Sequence, residues 1–230
     1  MKQAFLDNSI SLITKHNKSF SLNDIEKIRY GLEGIYLTIF KLAVIFIMAI
    51  IFGIMKEVFL LLLAYNILRF FAFGFHANSS NECLALSIGM FLVLPLGVFT
   101  NLISLEYAPM ICFMCLIGFL VFSPSDTVKR PLPNKKKRII RKTISSFLVF
   151  IYALVCAFSN NNLLTQLLVL AVIIEFVMIS PITYKVYGQP YNNYKNYQWL
   201  HISGYSIKQI RKEKQTWKRI LLEFLLLLVY

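Results

Sequence analysis

Charged residues are scarce in this chain. Of its 230 residues 15% are charged whereas 57% are hydrophobic, and the mean hydropathy is +0.64. A water-soluble core of this length cannot hide so much apolar surface, and the apolar runs are long enough to span a bilayer. The composition therefore excludes an ordinary soluble protein and predicts an all-α, polytopic helical bundle in the cell membrane.

Cysteine and histidine are also few. The chain has four Cys and three His, and the pair Cys112 and Cys115 lacks companion ligands, so we expect no metal and no cofactor. The basic residues flank apolar runs instead of forming a soluble basic domain, which argues against a nucleic-acid partner. The first apolar run begins only near Ile35, so no cleaved signal is predicted.

Six apolar runs predict about six transmembrane helices, several of them near the lower limit of about 17 residues. They are Ile35–Met55, Val58–Phe73, Leu84–Ile103, Ala108–Phe122, Ile144–Phe158 and Leu163–Pro181. We expect a membrane domain over residues 35–181, a cytoplasmic or interfacial segment at 1–34 and a similar tail at 182–230.

Basic residues predict the orientation. Of 24 Lys and Arg, 5 precede Ile35, 8 lie within 123–143 and 8 follow Pro181, and cytoplasmic loops are enriched in such residues. We therefore expect both termini and the basic loop at 123–143 to be cytoplasmic, in agreement with six crossings. Because the chain returns to the cytoplasm after its second crossing, the polar hinge at 69–83 is expected at the cytoplasmic face, where thiols stay reduced.

The polar hinge at 69–83 contains the two candidate catalytic residues. His76 and Cys83 are the minimum parts of a thiol nucleophile activated by a base. Seven residues of continuous helix would separate them by about 10.5 Å along the axis, so a bend is required. The Ser and Asn residues at 78–81 predict one, and with Ser80 or Asn81 as the helix cap Cys83 would lie in the first turn, which stabilises a thiolate.

On this hypothesis His76 is the general base that orients and deprotonates Cys83. Backbone N–H groups of the first turn could donate to an oxyanion, which makes Ser79, Ser80 and Asn81 candidate orienting residues. A purely structural alternative stays open, in which His76 caps a helix and Cys83 is an ordinary small membrane residue.

The hinge resembles the signature of the accessory gene regulator protein B (AgrB) family, membrane cysteine endopeptidases that process quorum-sensing propeptides. The matching residues are Arg69, the run from Gly74 to Ser80, and Cys83, with further likeness at 26–33 and 123–133. The resemblance covers the chain from about residue 20 to residue 181. It assigns no role to the tail from Tyr184 onward.

The resemblance implies a substrate and a mechanism. The substrate would be a small propeptide with an amphipathic N-terminal helix on the inner leaflet, a core bearing Cys or Ser, and an acidic C-terminal tail. Cys83 would attack the peptide bond at the end of the core and form a thioester. The precursor's own Cys or Ser would then displace Cys83 and close a thiolactone or lactone ring.

The basic loop has two interpretations that can both hold. Its residues could grip the acidic tail of the precursor, or they could follow the topology rule and contact anionic membrane lipids, worth about 1 kcal/mol per residue. The residues concerned are Lys129, Arg130, Lys135, Lys136, Lys137 and Arg138.

Charges inside the apolar runs predict an ion pair. Lys41 and Glu175 share a depth in their spans and can neutralise one another, with Arg69 as a second candidate partner. Together with Asn66 and Gln166 these residues could instead line the path of a small peptide exporter. A chain of 230 residues forms only a small helical bundle, so an exporter of this kind would need to form a homodimer. A non-catalytic membrane scaffold is a third class.

Overall fold

The structure is a computed structural model that describes residues 2–16, 22–77, 79–98, 105–127 and 131–195. Its helices are α1 Lys2–His16, α2 Leu22–Ile51, α3 Met55–Ala72, α4 Ser80–Ile88, α5 Leu94–Val98, α6 Ala108–Phe122, α7 Lys135–Phe158, α8 Asn162–Ile179 and α9 Pro181–Val186. A π-helical turn joins α4 to α5, and a 3-10 turn precedes α6. These described residues contain no β-strand, which confirms the all-α prediction for them.

Five stretches among the described residues are long and apolar enough to cross a membrane. They are Asp24–Ile51, Ser80–Val98, Leu105–Phe122, Lys135–Phe158 and Asn162–Ile179. Helix α3 has 18 residues, or about 27 Å, but carries Lys56, Glu57 and Arg69. The helices indicate a membrane protein, whereas the six-span count and the sidedness of the termini stay predictions.

Helix α7 differs from its prediction because it begins at Lys135 rather than Ile144. The side-chain oxygen of Asn134 accepts from the backbone N–H groups of Lys136 at 3.0 Å and Lys137 at 3.2 Å. Asn is a favoured N-cap, and Lys and Arg are good helix formers. The basic residues 135–138 therefore form the first turn of a helix, and the expectation of a loop there was wrong.

The described residues divide into two compact units, one up to Val44 and the other from Ile45 onward. Within the first unit, Lys2 pairs with Glu33 at 2.6 Å and Arg29 pairs with Asp7 at 3.1 Å. Both pairs are solvent-accessible, so each contributes little to stability. The division of the chain predicted at residues 34 and 181 stays a prediction.

Helix α8 is the central helix of the second unit. It contacts α3, α6 and α7, and 67% of its length is buried. Its approach to α6 depends on Gly118, because a Cβ there would overlap the ring of Phe176. This packing brings the C-terminal end of α8 beside the C-terminal end of α3, where the hinge begins.

Candidate functional site

The hinge begins with a sharp change of backbone direction after α3. Phe73 has a φ of 61° and Gly74 a φ of 120°. A Cβ on Gly74 would lie 2.9 Å from the carbonyl oxygen of Met178 and would overlap the guanidinium of Arg69. This position therefore requires glycine both for its φ and for its surroundings.

Three segments meet at this point through backbone hydrogen bonds. The N–H of Gly74 donates to the carbonyl of Ser125 at 2.8 Å, and the N–H of Ser125 donates to the carbonyl of Ala72 at 2.9 Å. The N–H of Phe75 donates to the carbonyl of Met178 at 2.8 Å. The end of α3, the loop at 123–127 and the end of α8 thus fix the path of the chain up to residue 75.

A buried guanidinium completes the hinge. Arg69 donates to the carbonyl oxygens of Phe73 at 2.7 Å, of Gly74 at 3.3 Å and of Phe75. Its Nη1 also lies 3.5 Å from Oε2 of Glu175, which is 0% exposed. The planar fork of donors suits arginine to such a cluster of acceptors. Arg69, the second candidate partner predicted for Glu175, is therefore the partner that the structure shows.

Two further polar residues of the apolar runs lie in α3 and α8. Asn66 donates to the carbonyl of Leu62 within its own helix at 2.8 Å. Gln166 is buried in α8. Lys41 belongs to the first unit, and its pairing with Glu175 stays a prediction.

His76 directly follows the segment whose backbone is fixed by hydrogen bonds up to Phe75. Its side chain is half-buried, and its carbonyl oxygen accepts a hydrogen bond from Nε2 of Gln189 at 2.7 Å. The base proposed from the sequence is thus attached to a backbone that is hydrogen-bonded at the preceding residue and at its own carbonyl. Asn78 lies outside the described residues.

Cys83 lies in the first turn of α4, as predicted, but the cap differs from the predicted one. The helix begins at Ser80, and the Oγ of Ser79 accepts from the N–H of Glu82 at 3.2 Å. The cap at Ser80 or Asn81 was therefore wrong, because Ser79 already has the extended backbone that an N-cap needs. The N–H of Cys83 donates to the carbonyl of Ser79 at 3.0 Å, so this group is occupied within the helix.

Cys83 differs from the other three cysteines in its exposure. It is half-buried, whereas Cys112, Cys115 and Cys156 are buried within α6 and α7. The thiols of Cys112 and Cys156 contact each other. Among the described residues no cluster of three or more His, Cys, Asp or Glu side chains could hold a metal ion. Cys83 is the thiol best placed to meet a reagent or a substrate.

A groove of about 460 Å³ runs along α4 away from the hinge. It is lined by Glu82, Ala85, Leu86, Gly89, Met90, Leu94 and Tyr187. Leu86 follows Cys83 by one helical turn and so lies on the same face of the helix. The groove therefore includes a residue on the face of α4 that carries Cys83, and most of its lining is apolar.

The loop at 123–127 is held by residues of the tail, to which the sequence assigned no role. The hydroxyl of the buried Tyr184 donates to the carbonyls of Ser125 at 3.2 Å and Asp126 at 3.3 Å. The amide of Asn193 also donates to the carbonyl of Asp126, at 3.3 Å. Burial raises the pKa of the Asp126 carboxyl, and a hydrogen bond from the N–H of Leu132 opposes that shift. The many Tyr and Asn residues of this tail were a signal that could have indicated loop-carbonyl partners.

The basic residues divide into two groups. Arg138 lies 3.2 Å from the ring centroid of Tyr194, and Arg141 donates to the carbonyl of Phe70 at 2.7 Å. In contrast, the side chains at 135–137 are exposed. Lys129 and Arg130 lie outside the described residues. The binding of an acidic tail or of lipid by the basic residues stays a prediction.

Comparison with known proteins identifies a family that matches most of the chain. Residues 7–179 match the family model described as accessory gene regulator B. An AgrB-like protein of Clostridium acetobutylicum is 32% identical, with 80% of this chain and 89% of that protein covered. Accessory gene regulator protein B of Staphylococcus aureus is 25% identical, with 77% of this chain and 96% of that protein covered. No solved structure matches the chain.

Proposed function

Because this chain belongs to the accessory gene regulator B family, we propose that it is a membrane cysteine endopeptidase in quorum sensing. It removes the C-terminal tail of an autoinducing-peptide precursor through a thioester on Cys83. The product of the complete reaction is a cyclic thiolactone or lactone signalling peptide. The active site acts at the cytoplasmic face of the membrane.

The observation that carries this proposal is the position of Cys83. It is half-buried in the first turn of a helix that starts four residues after His76, while the other cysteines are buried within spans. Helix N-termini favour negative charge and therefore a thiolate. A histidine that reaches such a thiol can take its proton and return it to a leaving group.

The reaction needs only residues of this chain and of the precursor, and the proton lost by the ring-closing group returns to the sulfur of Cys83. His76 takes the proton of the Cys83 thiol as the sulfur attacks the carbonyl carbon at the end of the peptide core. The C–N bond breaks, the proton passes from His76 to the leaving amine, and the core remains as a thioester on Cys83. A Cys or Ser of the same core then attacks the thioester, which closes the ring and regenerates the thiol.

The groove along α4 gives the peptide core a place to bind. Six of its seven lining residues carry no charge, and one of them, Leu86, lies one helical turn after Cys83. A bound core would limit the access of water to the thioester, which favours ring closure over hydrolysis. The exposed lysines at 135–137 would attract the acidic tail that leaves.

Processing of a co-expressed precursor tests the function. We expect Cys83→Ala and His76→Ala to reduce tail release to background, whereas Cys115→Ala, the same substitution at a buried cysteine, should retain it. Wild-type processing by Cys83→Ala would exclude the protease and leave the peptide exporter or the scaffold as the function.

A further inference from the structure

The contacts that fix the backbone of His76 include residues beyond the part of the chain that matches the family. That match ends at residue 179. Gln189 donates to the carbonyl of His76 at 2.7 Å, and the ring centroid of Tyr187 lies 4.4 Å from that of Phe75. The segment after α8 therefore contacts both His76 and the residue that precedes it.

Tyr187 also reaches the helix that carries the nucleophile. It lines the groove together with Glu82 and Leu86, and among the described lining residues it alone comes from outside 82–94. One side chain thus contacts the segment before His76 and faces the helix that holds Cys83. Its position links the two parts of the candidate site.

The segment that carries these side chains is itself anchored. We call residues 184–189 the C-terminal turn. The N–H of Gln189 donates to the carbonyl of Tyr184 at 2.8 Å, and Gly188 allows this turn with a φ of 63°. Tyr184 is fully buried and is hydrogen-bonded to the loop at 123–127. An anchored turn can hold a second segment in one orientation.

We propose that Gln189 and Tyr187 are positioning residues that hold His76 in the orientation in which its imidazole reaches Cys83. The inference rests on the proposed function, because it concerns the base of that reaction. Gln189 acts through the backbone of His76. Without its N–H donor the carbonyl of His76 is free to rotate about the Cα–C bond, which changes the path of the chain from His76 to Cys83 and so the distance between the imidazole and the thiol.

The rate of Cys83 alkylation by iodoacetamide in the purified full-length protein tests this without any precursor. Gln189→Met keeps the length of the side chain but removes its donor, and should slow alkylation near neutral pH about fivefold, the effect of one neutral hydrogen bond. Gln189→His places an N–H at the same distance from the backbone and should restore much of the rate. Val186→Ala, at a residue that is 74% exposed in the same turn, should have no effect.

A combination with His76→Ala separates positioning from general loosening of the fold. If Gln189 acts through His76, Gln189→Met should have no further effect on alkylation in the His76→Ala protein. Mass spectrometry should count only molecules in which the buried Cys115 stays unmodified, so that unfolded protein does not contribute.

Two failures can be told apart. If His76→Ala leaves the alkylation rate unchanged, the assignment of His76 as the base is wrong, and the proposed function loses its base. If His76→Ala slows alkylation but Gln189→Met does not, or if the two effects multiply, the positioning role is wrong while the proposed function stands.

Discussion

Arg69 and Glu175 form a buried ion pair across 106 positions of sequence, with Nη1 and Oε2 3.5 Å apart. The same guanidinium holds the three carbonyl groups that precede His76. The pair therefore connects the stability of the membrane bundle to the geometry of the candidate active site.

The ion pair predicts a strong coupling in a double-mutant cycle. Glu175→Leu leaves a buried guanidinium without its counter-charge, a change that typically costs about 3–5 kcal/mol. The double variant Arg69→Met with Glu175→Leu should lose less stability than the sum of the single variants, by about 0.5–3 kcal/mol. Thermal unfolding in detergent measures all four proteins.

The exposed pair of Lys2 and Glu33 provides the matched control. Its side chains are 39% and 38% exposed, so Lys2→Met and Glu33→Leu should couple by less than about 1 kcal/mol. Additive losses at Arg69 and Glu175 would contradict the role of the buried pair.

We expect the Gly74→Ala substitution, which adds a single methyl group, to abolish function. Gly74→Ala places a Cβ against the carbonyl of Met178 at a positive φ, with a cost of about 1–3 kcal/mol in backbone strain. Gly31→Ala is the control, since a Cβ there meets nothing within 4 Å. We expect Gly74→Ala to lower the unfolding midpoint and to abolish precursor processing, whereas Gly31→Ala should leave the midpoint unchanged or raised. An unchanged midpoint in Gly74→Ala would show that the hinge is less constrained than its contacts indicate.

A substitution that fills the groove should block the binding of the peptide core but not the access of a small reagent to Cys83. Gly89 has helical φ and ψ and open space around its Cα, so Gly89→Leu should fill part of the groove without disturbing the helix. Precursor processing should fall, while iodoacetamide should alkylate Cys83 at the wild-type rate. Ala157→Leu, at an exposed position of α7, should change neither measurement. Wild-type processing in Gly89→Leu would mean that the core binds elsewhere.

The topology predicts opposite accessibility for two introduced cysteines. In a Cys83→Ala background, Lys136→Cys should react with a membrane-impermeant maleimide only from the cytoplasmic side, and Asn160→Cys only from outside. Both positions are exposed, and the remaining cysteines are buried. Labelling of Lys136→Cys in intact cells would overturn the orientation predicted from the basic residues.

The sequence predicted the apolar parts of the helices because an apolar run is a local signal, but it did not predict α1 or the start of α2 at Leu22. The predicted ends at Phe122 and Phe158 are also the observed ends of α6 and α7. The start of α7 was missed because a basic run reads as a loop when its cap, Asn134, is not recognised.

The contacts that position the site were harder to predict, because they join residues distant in sequence. The positions of the charges within the apolar runs indicated that Arg69 was a candidate partner for Glu175, but not that its donors hold the hinge carbonyls. Gln189 and His76 are 113 positions apart, and no spacing rule connects them. Pairs of this kind emerge only when α3 and α8 are packed together.

The most direct test of the proposed chemistry is to trap the thioester. A precursor whose ring-closing residue is changed to Ala cannot displace Cys83, so the acyl-enzyme should accumulate when the reaction is rapidly quenched in acid. Tandem mass spectrometry should then find the mass of the peptide core on Cys83, and hydroxylamine should remove it. An adduct on a different residue, or release of the tail by the Cys83→Ala protein, would contradict the account.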